Sequence, residues 1–275
     1  MKIGIRLHDT IPGTLEERLS YVKAQGYECG HLALSKVLPG FSMKDAPALL
    51  ARPGFAESVS GPFRRTGMDC ALLGCYLCLT HPDPAERQKT REIYEAHLAF
   101  CREMGAWMVG TETPISPESP LAPDAARSEE AFNFFLENLE PLLRRAEQED
   151  VVLAIEPVYG HILSPPERAE RMLRELGSDH LRIILDAVNL LGPGNIARRD
   201  DVVAEAVERL GDHVSLLHMK DYRLEGESMP ACACGTGEMD YRALMAFARE
   251  RDLPMTLENT TPENAHQALS YLKNI

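Results

Sequence analysis

Positive charge is scarce in this chain. Its 275 residues include 29 lysines and arginines against 42 aspartates and glutamates, which gives a formal net charge of -13. Affinity for nucleic acid depends largely on clustered basic side chains, so this balance argues against an extended interface with a phosphate backbone. We therefore expect no nucleic-acid partner, although a local basic pocket would still suit a small anionic substrate.

Long apolar runs are also absent. No run approaches the ~18 residues that a membrane-spanning helix needs. The segment Met1–Arg6 leads directly into a strand-like run and not into the apolar core of a secretory signal. These two absences predict a cytoplasmic protein without a membrane partner.

The cysteines form no clear disulfide or metal pattern. Their number, seven, is odd, which favours free thiols in a reducing compartment. Cys75 and Cys78 have the CxxC spacing, but both fall in a strand-like run that starts at Cys70. Positions i and i+3 of a strand face opposite sides, so we interpret this pair as core residues and not as a zinc or redox site.

What the chain does contain is a regular alternation of short apolar runs and longer amphipathic segments. The strand candidates are Lys2–Leu7, Cys29–Leu34, Cys70–Leu77, Trp107–Thr111, Val151–Glu156, Leu181–Asp186, Val214–His218 and Pro254–Glu258. The helix candidates are Thr14–Gln25, Gly54–Thr66, Pro84–Met104, Ser128–Glu149, Pro165–Leu176, Asp201–Leu210, Asp240–Arg251 and Pro262–Lys273. Eight such units of roughly 34 residues predict one (β/α)₈ TIM-barrel domain over residues 1–275, since a barrel of this class needs ~250 residues.

Two long loops follow the predicted strands four and seven. One is the proline-rich segment 114–123, a candidate lid, and the other is Leu224–Met239. The second contains a Gly-x-Gly pair, Gly235 and Gly237, without the GxGxxG or GKS/T pattern of a phosphate-binding loop. We interpret it as the turn into the next helix, with Asp240 near the N-cap.

Four residues of the metal-ligating types end consecutive strand candidates. They are Glu156, Asp186, His218 and Glu258, spaced 30, 32 and 40 residues apart in the chain. The carboxyl ends of barrel strands meet at one rim, where the active sites of such barrels lie. Carboxylate oxygens and one imidazole suit a catalytic divalent cation. The pattern therefore predicts a metal centre at this rim.

The segments around these residues resemble the sugar phosphate isomerase/epimerase superfamily, the xylose isomerase-like TIM barrels. The resemblance is strongest in Leu153–Pro157, Ile184–Leu190, Leu217–Asp221, Gly235–Asp240 and Thr256–Asn259. It implies that Glu156, Asp186, His218 and Glu258 bind one divalent ion, which in such proteins is manganese, magnesium, cobalt or zinc. It also implies a carbohydrate substrate and, as is common in this group, a dimer or tetramer.

The same resemblance implies proton transfer next to a carbonyl group. A metal that binds the carbonyl oxygen and the neighbouring hydroxyl stabilises a cis-enediolate as charge develops. Glu156 and Glu258 lie on opposite flanks of the ligand set and are the expected acid/base pair. Isomerisation and epimerisation share this chemistry, so both remain open.

Further polar residues near the strand ends are candidates for substrate binding. They are His8, His81, His161, Asn189, Lys220 and Arg223, and Glu112 at the end of strand four is a weaker candidate. A cation after strand seven suits a hydroxyl or a phosphate, but a salt bridge across the rim is an equally good interpretation of Lys220 and Arg223. The histidines have a corresponding structural interpretation as ordinary loop residues.

Two departures from the family pattern concern substrate contacts. Ketose 3-epimerases of this superfamily have a histidine three residues after the strand-six aspartate and a glutamate six residues after the strand-five glutamate. This chain has Asn189 and Ile162 in those places. We therefore expect altered substrate contacts, with the Asn189 amide still able to donate a hydrogen bond.

Three other functions share the scaffold. The zinc endonucleases of the superfamily need additional histidines, one of which is replaced by Asn189, and none occurs in the loop 221–240. Dehydration of an inositol-derived ketone would use the same barrel and the same enolate chemistry. A non-catalytic sugar-binding or subunit protein is the third alternative, but binding alone does not require a pair of glutamate bases.

Overall fold

Eight parallel strands close into a barrel. The structure is a computed structural model that describes residues 1–118, 123–226 and 228–275. Its strands are β1 (Ile3–Arg6), β2 (Cys29–Leu32), β3 (Asp69–Gly74), β4 (Met108–Glu112), β5 (Val152–Glu156), β6 (Leu181–Asp186), β7 (Val214–Met219), β8 (Asp221–Tyr222), β9 (Ala231–Cys232) and β10 (Met255–Leu257). The order around the barrel is β1-β10-β7-β6-β5-β4-β3-β2, and β8 pairs with β9 in a separate hairpin. The predicted (β/α)₈ fold is confirmed.

Amphipathic helices surround the barrel. They are α1 (Leu15–Ala24), α2 (Leu34–Val37), α3 (Ala46–Leu50), α4 (Phe55–Thr66), α5 (Pro84–Met104), α6 (Glu129–Glu149), α7 (Pro166–Leu176), α8 (Arg199–Leu210), α9 (Arg242–Glu250) and α10 (Ala265–Lys273). Each predicted helix has a counterpart, whereas the short helices α2 and α3 after β2 were not predicted. No helix in the described ranges has the length and apolar character needed to cross a bilayer.

The interior of the barrel is filled with apolar side chains below the rim. This inner core consists of Cys29, Ala71, Leu72, Met108, Ala154, Ile184 and Leu216. A Cβ atom on Gly110 would lie 2.6 Å from Leu72 Cδ1 and 2.8 Å from Ile184 Cδ1, so the absence of a side chain there lets the layer close. Because strand residues two apart share a face, the next inward positions on β5, β6 and β7 are the polar residues of the rim.

The third strand is shorter than predicted. It ends at Gly74 and not at Leu77, after which Cys75 N donates to Gly110 O at 2.9 Å and the chain turns away. Cys75 is buried, whereas the half-buried Cys78 lies 3.4 Å from both Thr80 Oγ1 and Pro114 O. All seven cysteines are free, so the CxxC pair forms no disulfide in this structure.

The segment after β7 contains the β8–β9 hairpin where the sequence predicted only a loop. The stretch that follows β9 is organised by the Asp221 carboxylate. This carboxylate accepts hydrogen bonds from the backbone N–H groups of Tyr222, Gly235, Gly237 and Met239. A Cβ on Gly237 would lie 2.1 Å from Tyr222 O. The Gly-x-Gly pair is therefore a structural turn, as predicted. The other predicted loop is the candidate lid 114–123. Its residues 119–122 lie outside the described ranges, so the lid hypothesis falls on residues that the structure does not describe.

Candidate metal centre and active site

The four predicted ligands meet at the carboxyl-terminal rim of the barrel. Glu156 and Asp186 are the last residues of β5 and β6, His218 is next to last in β7, and Glu258 directly follows β10. These strands are consecutive around the barrel. All four side chains are buried, with 1 to 4% of each residue exposed. Buried acids at this density require a compensating cation or proton.

The distances at His218 fit a bound divalent ion. Its Nδ1 lies 2.9 Å from Glu156 Oε2 and 3.4 Å from Glu258 Oε1. Two ligands held ~2.1 Å from one ion and at right angles to each other lie ~3 Å apart. Two groups of three residues each have their ligand atoms within 4.8 Å of one another. One group is Glu156, Asp186 and His218, and the other is His31, His218 and Glu258. Each group has the donor types and the spacing of a metal site, and His218 joins the two groups.

Asp186 has one oxygen available for a cation. Its Oδ1 accepts from the backbone N–H groups of Val188 at 2.9 Å and Asn189 at 3.0 Å. Its Oδ2 has no such donor, and Lys220 Nζ lies 2.9 Å from it. The first oxygen fixes the carboxylate, and the second is directed toward positive charge.

Glu258 is surrounded by the cations Arg6 and Lys220 and by the imidazole of His31. Arg6 Nη1 lies 3.0 Å and Lys220 Nζ 3.5 Å from Oε2, and His31 Nδ1 lies 3.6 Å from Oε1. Burial opposes ionisation of this carboxyl, but His218, His31, Lys220 and Arg6 together hold its pKa well below the usual range. Glu258 is therefore an anion in the folded protein.

His218 retains a proton more strongly than an ordinary histidine. Burial alone would lower its pKa, but the carboxylates of Glu258 and Glu156 outweigh burial and raise the pKa to about 9. Without metal, a proton on Nδ1 thus lies between the two glutamates. A divalent cation bound by the same atoms would replace that proton, as metal binding to imidazole generally does.

Glu156 is held by an amide at one oxygen and by the His218 imidazole at the other. The side chain of Asn189 donates to its Oε1, while its Oε2 faces His218. Burial opposes ionisation, yet His218 and Lys220 lower the pKa of Glu156. The residue that replaces the family's histidine therefore contacts the predicted base directly.

A cavity of about 450 Å³ opens above the cluster. Among its lining residues are the predicted His8, Asn189, Lys220, Glu112 and Glu258. Burial, then the neighbouring charge of Arg6, lowers the pKa of His8 to about 4, so its ring is neutral at pH 7. Burial followed by repulsion from Glu156 raises the pKa of Glu112 to about 7.

Three predicted substrate contacts have other environments. His161 is not among the cavity-lining residues, but its Nδ1 lies 3.8 Å from Oε2 of Glu112, which is. His81 accepts from Asp83 N through Nδ1 and lies 3.2 Å from Glu118 through Nε2, at the start of α5. Arg223 is exposed on the hairpin and donates to Thr236 O. The structure therefore does not bring His81 and Arg223 to the cavity, because their polar atoms are used in local contacts.

Among the cavity-lining residues that the sequence patterns missed are Arg6, His31 and Tyr76. Arg6 ends β1 and pairs in register with His31 on β2. The alternation of side chains along a strand could have identified His31. Cys29 belongs to the inner core, and His31 lies two positions later on the same face of β2. Tyr76 follows the shortened β3 and had no comparable signal.

Comparison with known families matches residues 19–275 of the chain to a family described as xylose isomerase-like TIM barrel. A curated relative, D-psicose 3-epimerase of Enterocloster bolteae, is 35% identical over 85 residues, which are 30% of this chain and 26% of the relative. The matched stretch thus spans about a quarter of that relative's length.

Solved structures share the fold over its full length. The apo form of 3-keto-D-glucoside 4-epimerase, YcjR, from E. coli has a TM-score of 0.74 at 19% identity and covers 100% of both chains. The IOLI protein with a bound zinc atom has a TM-score of 0.72 at 19% identity, covering 100% of this chain and 96% of the other. At these identities the similarity establishes the fold.

Proposed function

The chain belongs to the xylose isomerase-like TIM barrel family, and from this premise we propose that it is a divalent-metal-dependent isomerase or epimerase of a sugar or sugar derivative. The observation that carries the proposal is the pair of buried glutamates on either side of His218 Nδ1, at 2.9 Å and 3.4 Å. The similarity to D-psicose 3-epimerase and to 3-keto-D-glucoside 4-epimerase supports a reaction of the epimerase type.

Glu156, Asp186, His218 and Glu258 would hold the metal. When bound, a manganese, magnesium, cobalt or zinc ion would supply Lewis-acid stabilisation of the negative charge that develops in a cis-enediolate. A site that only binds sugar has no need of several buried anions around one imidazole, since each carries a desolvation cost.

Epimerisation needs one group to remove a proton from one face of a carbon and another group to deliver a proton to the opposite face. Glu156 and Glu258 extend from opposite ends of the row β5, β6, β7 and β10. The lowered pKa of Glu156 keeps it ionised and available as a base. Glu258, held by Arg6 and Lys220, would serve the opposite face.

The other cavity residues would bind and orient the substrate. Lys220 is buried between Asp186 and Glu258 and would direct its ammonium group toward substrate oxygens. Neutral His8 and Asn189 offer hydrogen bonds to hydroxyl groups. His161 would act through Glu112. His81 and Arg223 are not part of the proposed site.

The test is exchange of substrate hydrogen with solvent deuterium. The metal-loaded protein is incubated with a panel of ketoses in D₂O, and carbon-bound deuterium is measured by mass spectrometry. We expect one or more ketoses to be labelled, and we expect Glu156→Gln and Glu258→Gln to reduce labelling at least ~100-fold, because general base catalysis contributes factors of about that size.

The two variants remove charge at nearly constant volume, so circular dichroism should show an unchanged fold. Glu149→Gln, at the last residue of α6 where the carboxylate pairs with Arg145, is the matched control and should exchange at the wild-type rate. Substantial residual exchange in Glu258→Gln would remove Glu258 from the acid/base pair. No labelling of any sugar by metal-loaded wild-type protein would favour the non-catalytic alternative.

A further inference from the structure

His31 lies beside the four candidate metal ligands, on the side opposite Glu156 and Asp186. It is on β2, and 1% of the residue is exposed. Its ring stacks on that of His218, with centroids 5.3 Å apart and an interplanar angle of 6°. Nothing in the proposed proton transfer uses this buried imidazole.

The Nδ1 atom of His31 has the position of a metal ligand. It lies 3.6 Å from Glu258 Oε1, about the separation between Glu258 and His218. The ligand atoms of His31, His218 and Glu258 lie within 4.8 Å of one another, the same limit that encloses Glu156, Asp186 and His218. His218 belongs to both groups, so the two groups adjoin at its imidazole.

This nitrogen has no hydrogen-bond partner among the described residues, although it is buried. An unsatisfied buried polar atom is costly, and an ion or water is one of the few ways to satisfy it. The other ring nitrogen, Nε2, lies 3.2 Å from the hydroxyl of Tyr76. Histidine ligands commonly bind metal through one nitrogen and a hydrogen-bond partner through the other.

The end of β3 provides room for this pair. A Cβ on Gly74 would lie 2.9 Å from His31 Nε2 and 2.7 Å from Tyr76 Cε2. Any side chain at this position would therefore displace the imidazole or the phenol. Gly74 thus allows Tyr76 to orient the imidazole with Nδ1 toward Glu258.

We propose that His31 is a fifth protein ligand of the divalent ion and that the second imidazole makes the site select zinc or cobalt over magnesium. Imidazole ligands favour zinc and the later transition metals, whereas magnesium favours carboxylates and water. The proposal depends on the metal site of the proposed function. With His31 as an additional ligand, the ion would have fewer positions for substrate oxygens than with the four residues of the proposed function.

The test measures metal affinity and does not depend on turnover. Metal-free protein is titrated with zinc and with magnesium by calorimetry, in the wild type and in His31→Phe, which keeps a stacked ring and removes both nitrogens. We expect the zinc Kd to rise ~10- to 100-fold in the variant, while the magnesium Kd changes less than about threefold. The absorption spectrum of the cobalt-loaded protein should also change.

Three further variants complete the experiment. His31→Ala removes the ring and should weaken zinc binding to a similar extent. It therefore separates loss of the ligand from any disturbance of packing by the larger Phe. Tyr76→Phe should weaken zinc binding by a smaller factor, because it removes only the hydroxyl that orients His31. His180→Gln, at a surface histidine that contacts Asp150, should leave both affinities unchanged. Thermal unfolding confirms that each variant is folded.

The outcomes separate this inference from the proposed function. If both His31 variants bind zinc with wild-type affinity and leave the cobalt spectrum unchanged, His31 is not a ligand, while the four-residue metal site stands. If the wild-type protein binds no divalent metal, both proposals fail.

Discussion

The two sides of the barrel rim differ in how their charges are arranged. The side formed by β5, β6, β7 and the end of β10 presents three carboxylates around His218, and the side formed by β1 and β2 presents Arg6, His8 and His31. Glu258 lies where the two sides meet and contacts cations from both. The first side, here called the metal-binding side, carries the four ligands of the proposed function, whereas the β1–β2 side contacts Glu258 through Arg6 and adds His31 as the further proposed ligand.

The two glutamates of the proposed pair make this contrast concrete. Glu258 is neutralised by the charges of Arg6 and Lys220, and Arg6 is itself fixed by Asp9 at 2.8 Å. Glu156 shares His218 with Glu258, and its own separate partner is the neutral amide of Asn189. A charged partner in a buried site stabilises a carboxylate more than a neutral hydrogen bond does. We therefore expect the two supporting residues to differ in importance.

The largest effect in this comparison should come from Arg6→Met. Loss of the guanidinium leaves Glu258 less stable as an anion, so the rate of deuterium exchange into the labelled ketose should fall ~10- to 100-fold. Asn189→Ala, the counterpart on the metal-binding side, should lower the rate at most about tenfold. Metal content, measured by elemental analysis, should stay at the wild-type level in both variants.

Arg6→Lys provides the control for charge. It keeps a cation near Glu258 but cannot contact Asp9 and Glu258 at once as the guanidinium does, so it should retain more activity than Arg6→Met. Equal losses in Arg6→Met and Asn189→Ala would show that the charges of the β1–β2 side are not what controls Glu258.

A smaller effect should come from His97, which is buried in an apolar environment and not among acids. Burial lowers its pKa to about 4, the opposite of the shift at His218. The unfolded chain, with a pKa near 6.5, takes up a proton that the folded protein excludes. Stability is therefore full above pH ~6.5 and falls by about 2 kcal/mol by pH 5 from this one group.

His97→Leu should remove that dependence. The difference in the free energy of unfolding between pH 8 and pH 5, measured by urea denaturation, should be smaller in the variant by about 2 kcal/mol. His213→Leu, which also replaces a histidine but in the turn before β7, serves as the matched control. If the pH dependence of His97→Leu equals that of the wild type, the neutral buried state of His97 is wrong.

Much of the metal-binding side was predictable from the sequence because its signals are local. Glu156, Asp186 and His218 each end an apolar run, and a run of that length between helices predicts a barrel strand with its end at the rim. The predicted positions at the ends of β5, β6, β7 and β10 are confirmed by the structure. Their roles as ligands remain a proposal.

The β1–β2 side was less predictable because its signals are not local. His31 lies inside the predicted run Cys29–Leu34 and not at its end, and it reaches Glu258 only because closure of the barrel places β1 next to β10. Tyr76 reaches His31 because β3 ends at Gly74, three residues earlier than its apolar pattern suggests. Arg223 shows the converse, since a promising position after β7 is used instead to hold a hairpin.

The measurement that tests the central claim most directly is the metal content of protein purified without chelator, with Glu156→Ala/Glu258→Ala as the comparison. The account predicts about one divalent ion per wild-type chain, by elemental analysis, and loss of that ion in the double variant with its fold retained. No metal in the wild type, and none taken up when manganese or zinc is added, would contradict it.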